Sequence, residues 1–381
     1  MDLEITREHL MLQDSARDFI KKEHSFDRLR ELKKEPPLKY SRKVWKKMAK
    51  LDWLGLIYPE EYNGAQMDLS YAMALLEEFG RGMLPEPWIS TVLLGGNLIL
   101  SGGSKEQKKN FLSKIASGKL FMTLAYLEDG GRYDPNFCAA SARKSGENFS
   151  ISGKKIFVLD GSGADKIVVS ARTSGAVDDR EGITLFIIDK NADGLIITPV
   201  KTMDGRNAAS IDLNEVMVSE GDIIGEVDHG YNLMCDVIDQ ATAGLCAEMI
   251  GGMKATLNLT VRHLSDRIQF GKHLGSFQAL QHKSADMLIN QELATSAVYY
   301  AMASMVEKSD ERVSAVSIAK AKCSHAYIEN TKIAIQLFGA FGFTNEADIG
   351  FFFKRAKVAE ILFGDCDYHY DRYLTLNRPL S

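Results

Sequence analysis

The sequence predicts a mainly helical α+β chain, ordered as an N-terminal helical domain, a middle antiparallel β domain and a C-terminal helical bundle. Three observations predict this order. Apolar residues recur at three- and four-residue steps toward both ends of the chain. Short β-rich runs divided by turn clusters occupy the middle. No proline falls between residues 200 and 378, which suits long unbroken helices, because an interior proline costs a helix about 3 kcal/mol.

The first zone is residues 1–120. Leu12, Ala16, Phe19 and Ile20 share one helical face, with Thr6 as N-cap ahead of Glu8. Pro36-Pro37 and Pro85-Glu86-Pro87 mark loops between helices. Lys105–Lys109 reads as the solvated start of a helix capped by Ser104. The second zone, 121–226, holds the strand candidates Phe149–Ser152, Ile167–Ser170, Ile183–Ile188, Leu195–Val200 and Ile211–Val218. Turn clusters at 144–148, 160–163 and 178–182 separate some of them. The third zone, 227–381, carries a stripe of Leu280, Met287, Leu288, Ala294, Ala297, Val298, Ala301, Met302 and Met305, which reads as bundle core.

Composition narrows the function classes. A chain of 381 residues exceeds what one core usually spans. Its formal net charge of −5 offers no basic field for nucleic acid. Met1–Leu10 mixes polar and apolar residues, so no signal peptide is expected, and no apolar run is long enough to span a membrane. The five cysteines are scattered without CxxC spacing, which argues against a disulfide framework or a zinc site and for a reducing, cytoplasmic compartment. No metal is expected. Asp365 and His369 would share a helix face, but two ligands make a poor site. His263, His273 and His282 are not at ligand spacing.

Two runs can carry chemistry. In Arg267-Ile268-Gln269-Phe270-Gly271-Lys272-His273-Leu274-Gly275-Ser276-Phe277-Gln278, a helix ends near Arg267, breaks at glycine and restarts at Gln278. An arginine there suits a pyrophosphate, because its planar fork matches two phosphate oxygens and its charge does not titrate. The run reads equally well as an interhelical turn with a surface arginine. In Gln336-Leu337-Phe338-Gly339-Ala340-Phe341-Gly342, small residues permit close approach of a ligand to the backbone, or simply tight packing.

Together these runs resemble the acyl-CoA dehydrogenase family, and the resemblance covers nearly the whole chain. The R-x-Q-F-G-x-x-L-x-x-F-Q pattern is met from Arg267 to Gln278. The Q-x-x-G-G-x-G pattern is met at Gln336, Gly339 and Gly342, with Ala340 replacing the second glycine. The resemblance implies an N-terminal helical domain, a middle β domain and a C-terminal four-helix bundle. It implies FAD held partly across a subunit boundary, by Arg267, Phe270 and Gln278 for one part and Gln336, Gly339 and Ala340 for another. Also implied are an acyl-CoA substrate, a homo- or hetero-tetramer, and an electron-transferring flavoprotein as acceptor. Leu84–Trp88 through Gly96, Arg132–Pro135 and Phe363–His369 are similar to the small subunits of pimeloyl-CoA-type and steroid side-chain members.

The catalytic positions depart from the pattern. The family reaction needs a carboxylate base near the substrate α-carbon and donors on the thioester oxygen. Phe363 stands where one usual glutamate is expected, and Ala241 and Thr242, 26 and 25 residues before Arg267, where other members carry a glutamate-arginine pair. Asp365 enters the site as the replacement base if the backbone there is extended, and is otherwise a capping or surface aspartate. The backbone N–H of Phe363 remains able to donate to a thioester oxygen. In the middle domain, the family's T-E-P-x-x-G-S-D run reads Leu127–Asp134, and its W-I-T stretch reads Ile156-Phe157-Val158, with fewer hydroxyls for a flavin.

Overall fold

The structure, a computed structural model, describes residues 5–34 and 40–378, so the expected Pro36-Pro37 loop lies outside the described residues. The first helices are α1 (Arg7–Glu23), α2 (Phe26–Lys34), α3 (Arg42–Ala49), α4 (Leu69–Gly82), α5 (Asn97–Gly102) and α6 (Lys105–Ala116). A wide π-helical run, Ile89–Gly96, leads into α5. The strands that follow are β1 (Met122–Ala125), β2 (Ser141–Ser145), β3 (Asn148–Leu159), β4 (Lys166–Arg172), β5 (Ile183–Asp189), β6 (Leu195–Lys201), β7 (Asn207–Ser219) and β8 (Ile223–Ile224). Then come α7 (Gly230–Asp266), the short pair β9 (Ile268–Gln269) and β10 (Lys272–His273), and α8 (Gln278–Val306), α9 (Arg312–Phe338), α10 (Ile349–Ile361) and α11 (Cys366–Leu376).

These elements form two compact units that interleave along the chain. One takes residues 5–29, 68–84 and 242–378; the other takes 30–34, 40–67 and 85–241.

In the first unit, α4 and α7 meet backbone to backbone. A Cβ on Gly80 would overlap the carbonyl of Glu248, and one on Gly251 would overlap the carbonyl of Glu77, so only glycine allows the crossing. This approach buries three carboxylates, and cations from α1, α4, α7 and α10 meet them. Glu78 is paired with Arg17 at 3.0 Å and Arg81 at 3.1 Å, Glu77 with Lys254 at 2.6 Å, and Glu248 with Arg355 at 2.6 Å. Thr6 caps α1 as expected, with His9 closing a capping box. The buried face of α1 is His9, Gln13 and Ala16, with Leu12, Phe19 and Ile20 only half-buried. His9 owes its place to a hydrogen bond with Ser70 at 2.8 Å and a stack on Tyr71. The α8 stripe divides: Met287, Ala294, Val298, Ala301 and Met302 are buried, whereas Leu288 is exposed beside Ile289 and Leu293. One residue step turns a helix by about 100°, so Met287 and Leu288 cannot share a core face.

The second unit is built on an eight-stranded sheet in the order β6-β7-β3-β2-β4-β5-β8, with β1 paired to β4 off this path. Pairing is antiparallel except β1 with β4 and the single β2–β4 match, which are parallel. Each expected strand is present, and two run longer than expected: β3 continues past Ser152 through Gly153-Lys154-Lys155 to Leu159, and β7 begins at Asn207. β1 lacks alternation because all four of its residues are buried. Pro199 sits in β6, an end strand of the sheet, where a missing ladder donor is tolerated. One face is filled by Ile151, Val158, Ile167, Val169, Phe186, Ile211 and Val216 among others. A charged pair is buried in this unit. The Lys155 ammonium lies 2.5 Å from Glu128, which also accepts from the amides of Ala139 at 2.8 Å and Ala140 at 3.1 Å.

Two stability predictions follow from these buried groups. Lys155→Met strands the Glu128 carboxylate, and removing one partner of such a pair costs about 3–5 kcal/mol; urea unfolding should show that loss, with part recovered in the Lys155→Met, Glu128→Gln double variant. A single variant as stable as the parent would refute the assignment. Burial, with like charge from Arg28 and Arg355, lowers the His24 imidazole to about 3, and burial beside Lys320 and Arg372 does the same for His369. Both are neutral when folded and bind protons near 6.5 when unfolded. Their contribution is therefore complete above about pH 6.5 and is lost as pH falls toward 3, on the order of 1 kcal/mol per pH unit per histidine. Urea midpoints between pH 7 and 4.5 should fall less steeply in His24→Asn.

Candidate functional site

The two sequence runs sit at neighbouring helix ends in the first unit. Arg267 follows the last residue of α7, its N–H donating to the His263 carbonyl at 2.9 Å and its own carbonyl accepting from Leu274 at 2.9 Å. β9 and β10 then form a hairpin whose two tip residues, Phe270 and Gly271, have φ of 53° and 77°, as a two-residue I′ turn requires. α8 begins at Gln278, as the break-and-restart reading expects. The His263 ring lies flat on Phe338 at the end of α9, with centroids 4.2 Å apart and planes 11° apart, and this stack brings the second run beside the first.

Past Phe338, Gly339 adopts φ 64° and ψ −148°, a region essentially closed to residues with a Cβ, and opens a 3₁₀ turn, Gly339–Phe343. Ala340 has no left-handed backbone and is exposed, which explains why alanine is accepted where the family pattern has glycine. Gln278, Gln336, Gly339 and Ala340 are all exposed. Among the described residues, the Arg267 guanidinium has neither an ion-pair nor a hydrogen-bond partner. Phe270 is 89% exposed and Phe343 82%. An unpaired planar cation, a glycine backbone open to approach and two bare rings fit the pyrophosphate and flat ring systems of a dinucleotide.

The second cluster follows α10. Phe363 is buried with φ 60° and Gly364 has φ 107°. A left-handed backbone at a bulky residue costs about 1–2 kcal/mol, so the surroundings must hold it. Lys320 of α9, fully buried, donates from Nζ to Ser324 Oγ at 3.0 Å, to the Glu360 carbonyl at 3.0 Å and to the Gly364 carbonyl at 2.7 Å. Burial lowers its ammonium to about 8. His369 places Nε2 3.0 Å from the Phe363 carbonyl, which makes that nitrogen the protonated one, and its Nδ1 has no partner among the described residues. Asp365 is extended, with ψ −178°, and its carboxylate caps α11 by accepting from the Tyr368 amide at 2.9 Å. Asp365 and His369 thus engage different partners. Ala241 and Thr242 are buried within α7.

In the second unit, the Leu127–Asp134 stretch is anchored by the Glu128–Lys155 pair. The register of β3 against β7 shifts between Lys155 and Val158, and Phe157 in that bulge has φ 48°. A bulge re-aims side chains locally, and here it falls in the stretch that replaces W-I-T. Sequence reasoning missed Lys320 and Lys155, and named His369 only in setting a metal site aside. The available signal for Lys320 was a lysine at a core step of an otherwise small and apolar helix, Val316-Ser317-Ile318-Ala319-Lys320-Ala321.

The comparisons with known proteins agree with one another. The sequence matches the acyl-CoA dehydrogenase N-terminal domain over residues 6–119, the middle domain over 123–217 and the C-terminal domain over 228–373. A probable acyl-CoA dehydrogenase of Bacillus subtilis, YngJ, is 29% identical over 372 residues, covering 95% of each chain. The caffeyl-CoA reductase-Etf complex subunit CarC of Acetobacterium woodii is 27% identical over 365 residues, covering 94% of this chain and 95% of that one. Butyryl-CoA dehydrogenase from Megasphaera elsdenii superimposes with a TM-score of 0.90 at 24% identity over 98% of each chain, a likeness of fold. With three domain matches spanning the chain in order, it belongs to the acyl-CoA dehydrogenases, a family of flavoprotein oxidoreductases.

Proposed function

We propose that this chain is an FAD-holding subunit of an oligomeric acyl-CoA dehydrogenase that carries out α,β-dehydrogenation of an acyl-CoA thioester. The observation that carries the reading is the stack of His263 on Phe338, which brings together the run with Arg267, unpaired among the described residues, and the run with the exposed Gly339. Arg267, Phe270 and Gln278 hold one part of the cofactor, and Gln336, Gly339 and Ala340 another. Both groups lie on an open surface, which favours a site completed by a second subunit, in a homo- or hetero-tetramer. When bound, FAD supplies the acceptor for the hydride leaving the substrate β-carbon. On the protein side, the Phe363 N–H donates to the thioester oxygen and Asp365, which follows the positive-φ turn at Phe363–Gly364, takes the α-proton. An electron-transferring flavoprotein is the proposed acceptor, supported by the relative that is a subunit of an Etf complex. The branch-like segments favour bulky or dicarboxylic acyl groups. The five free thiols favour a reducing, cytoplasmic compartment.

A second reading, a non-catalytic cofactor-holding partner in a heteromer, is favoured by one observation. Asp365 spends its carboxylate on the α11 cap, while Phe363 and Ala241 fill the usual base positions.

Two measurements test the proposal. Arg267→Glu should weaken FAD binding at least tenfold, because charge-assisted hydrogen bonds contribute about 1.5–3 kcal/mol; unchanged flavin content would remove the cofactor assignment. With FAD-loaded protein mixed anaerobically with acyl-CoA, Asp365→Asn should retain FAD and lose flavin bleaching. Full bleaching in that variant rules out Asp365 as base, and no bleaching in the parent, restored by a co-purifying subunit, selects the second reading.

A further inference from the structure

The turn after α10 is held more tightly than a chain reversal needs. Phe363 and Gly364 are consecutive residues with positive φ, and a separate buried donor grips each carbonyl, His369 Nε2 at 3.0 Å and Lys320 Nζ at 2.7 Å. Lys320 also binds the Glu360 carbonyl at the end of α10, so one ammonium ties helix and turn together. The amides of the same two residues are treated oppositely: among the described residues, neither the Phe363 N–H nor the Gly364 N–H has an acceptor. The Gly364 N–H lies in the same rigid peptide plane as the Phe363 carbonyl, so the grip of His369 fixes the direction of that N–H. Successive unpaired amides at such a turn form a concavity for an oxygen carrying negative charge.

We propose that Lys320 and His369 are positioning residues, which lock the Phe363–Gly364 turn so that its two amides remain unpaired and aimed at the oxygen of a bound acyl thioester. This rests on the acyl-CoA reading above. Neither side chain touches the substrate. Each acts through a carbonyl, and the pair replaces the conformational freedom that a glycine or asparagine at 363 would bring.

The test uses FAD-loaded protein and two ligands: trans-2-octenoyl-CoA, a thioester already unsaturated at the α,β bond and so inert to the proposed oxidation, and S-(trans-2-octenyl)-CoA, its thioether counterpart without a carbonyl oxygen. The parent should bind the thioester about tenfold more tightly, the value of one or two hydrogen bonds. His369→Leu and Lys320→Met should bring the ratio toward one with thioether affinity unchanged, and His369→Gln, which keeps a donor near the Nε2 position, should restore it. If Lys320→Met does not fold, the two His369 variants decide. Unchanged ratios in folded His369→Leu overturn the inference, as does equal binding of both ligands by the parent. A parent that binds neither ligand brings down the acyl-CoA reading and this inference with it.

Discussion

Direct contact between the backbones of α4 and α7, at Gly80 and Gly251, is the constraint on which the first unit depends. It leaves no room for side chains at the crossing and traps Glu77, Glu78 and Glu248 close to it. Buried carboxylates must be neutralised. The cations that do so come from α1, α4, α7 and α10 as Arg17, Arg81, Lys254 and Arg355, so four helices are tied by charge to one crossing. Because α7 is fixed there, its far end delivers His263 and Arg267 to the end of α9. Because Arg355 fixes α10, the Phe363 turn starts from an anchored helix.

Much of this frame was legible in the sequence. The order of helical, β and helical zones, the Thr6 and Ser104 caps and the break after Arg267 follow from spacing and cap chemistry, which act locally. What escaped reading depends on partners distant in sequence. Lys155, outside the expected strand, looks like an ordinary surface residue until Glu128 is brought beside it, and Lys320 looks solvated until the carbonyls of residues 360 and 364 converge on it. The Leu288 assignment failed for a different reason: an apolar residue on a helix announces burial without saying against which surface. The role of Asp365 was open in the sequence; the structure gives it a capping bond, and the positive-φ turn at Phe363–Gly364 breaks the extended run that would set its side chain on the same side as that of Phe363.

The turn at Phe363 is held by its backbone, not by its side chain. A phenylalanine occupies position 363, in a positive-φ turn whose two carbonyls are gripped by His369 and Lys320. A side chain that removes protons and a backbone that polarises a carbonyl are separable contributions, so on the proposed reading the turn serves the second whatever residue supplies the first.

Phe270 and Phe343 also bear on how the protein comes into being. Rings left almost bare to water are adhesive, and they sit on a hairpin tip and a helix end, where nothing local folds over them. Folding buries the core but leaves these two rings bare, so on the proposed oligomeric reading the solubility of the folded chain in a foreign host should rise when a second subunit that covers them is made at the same time.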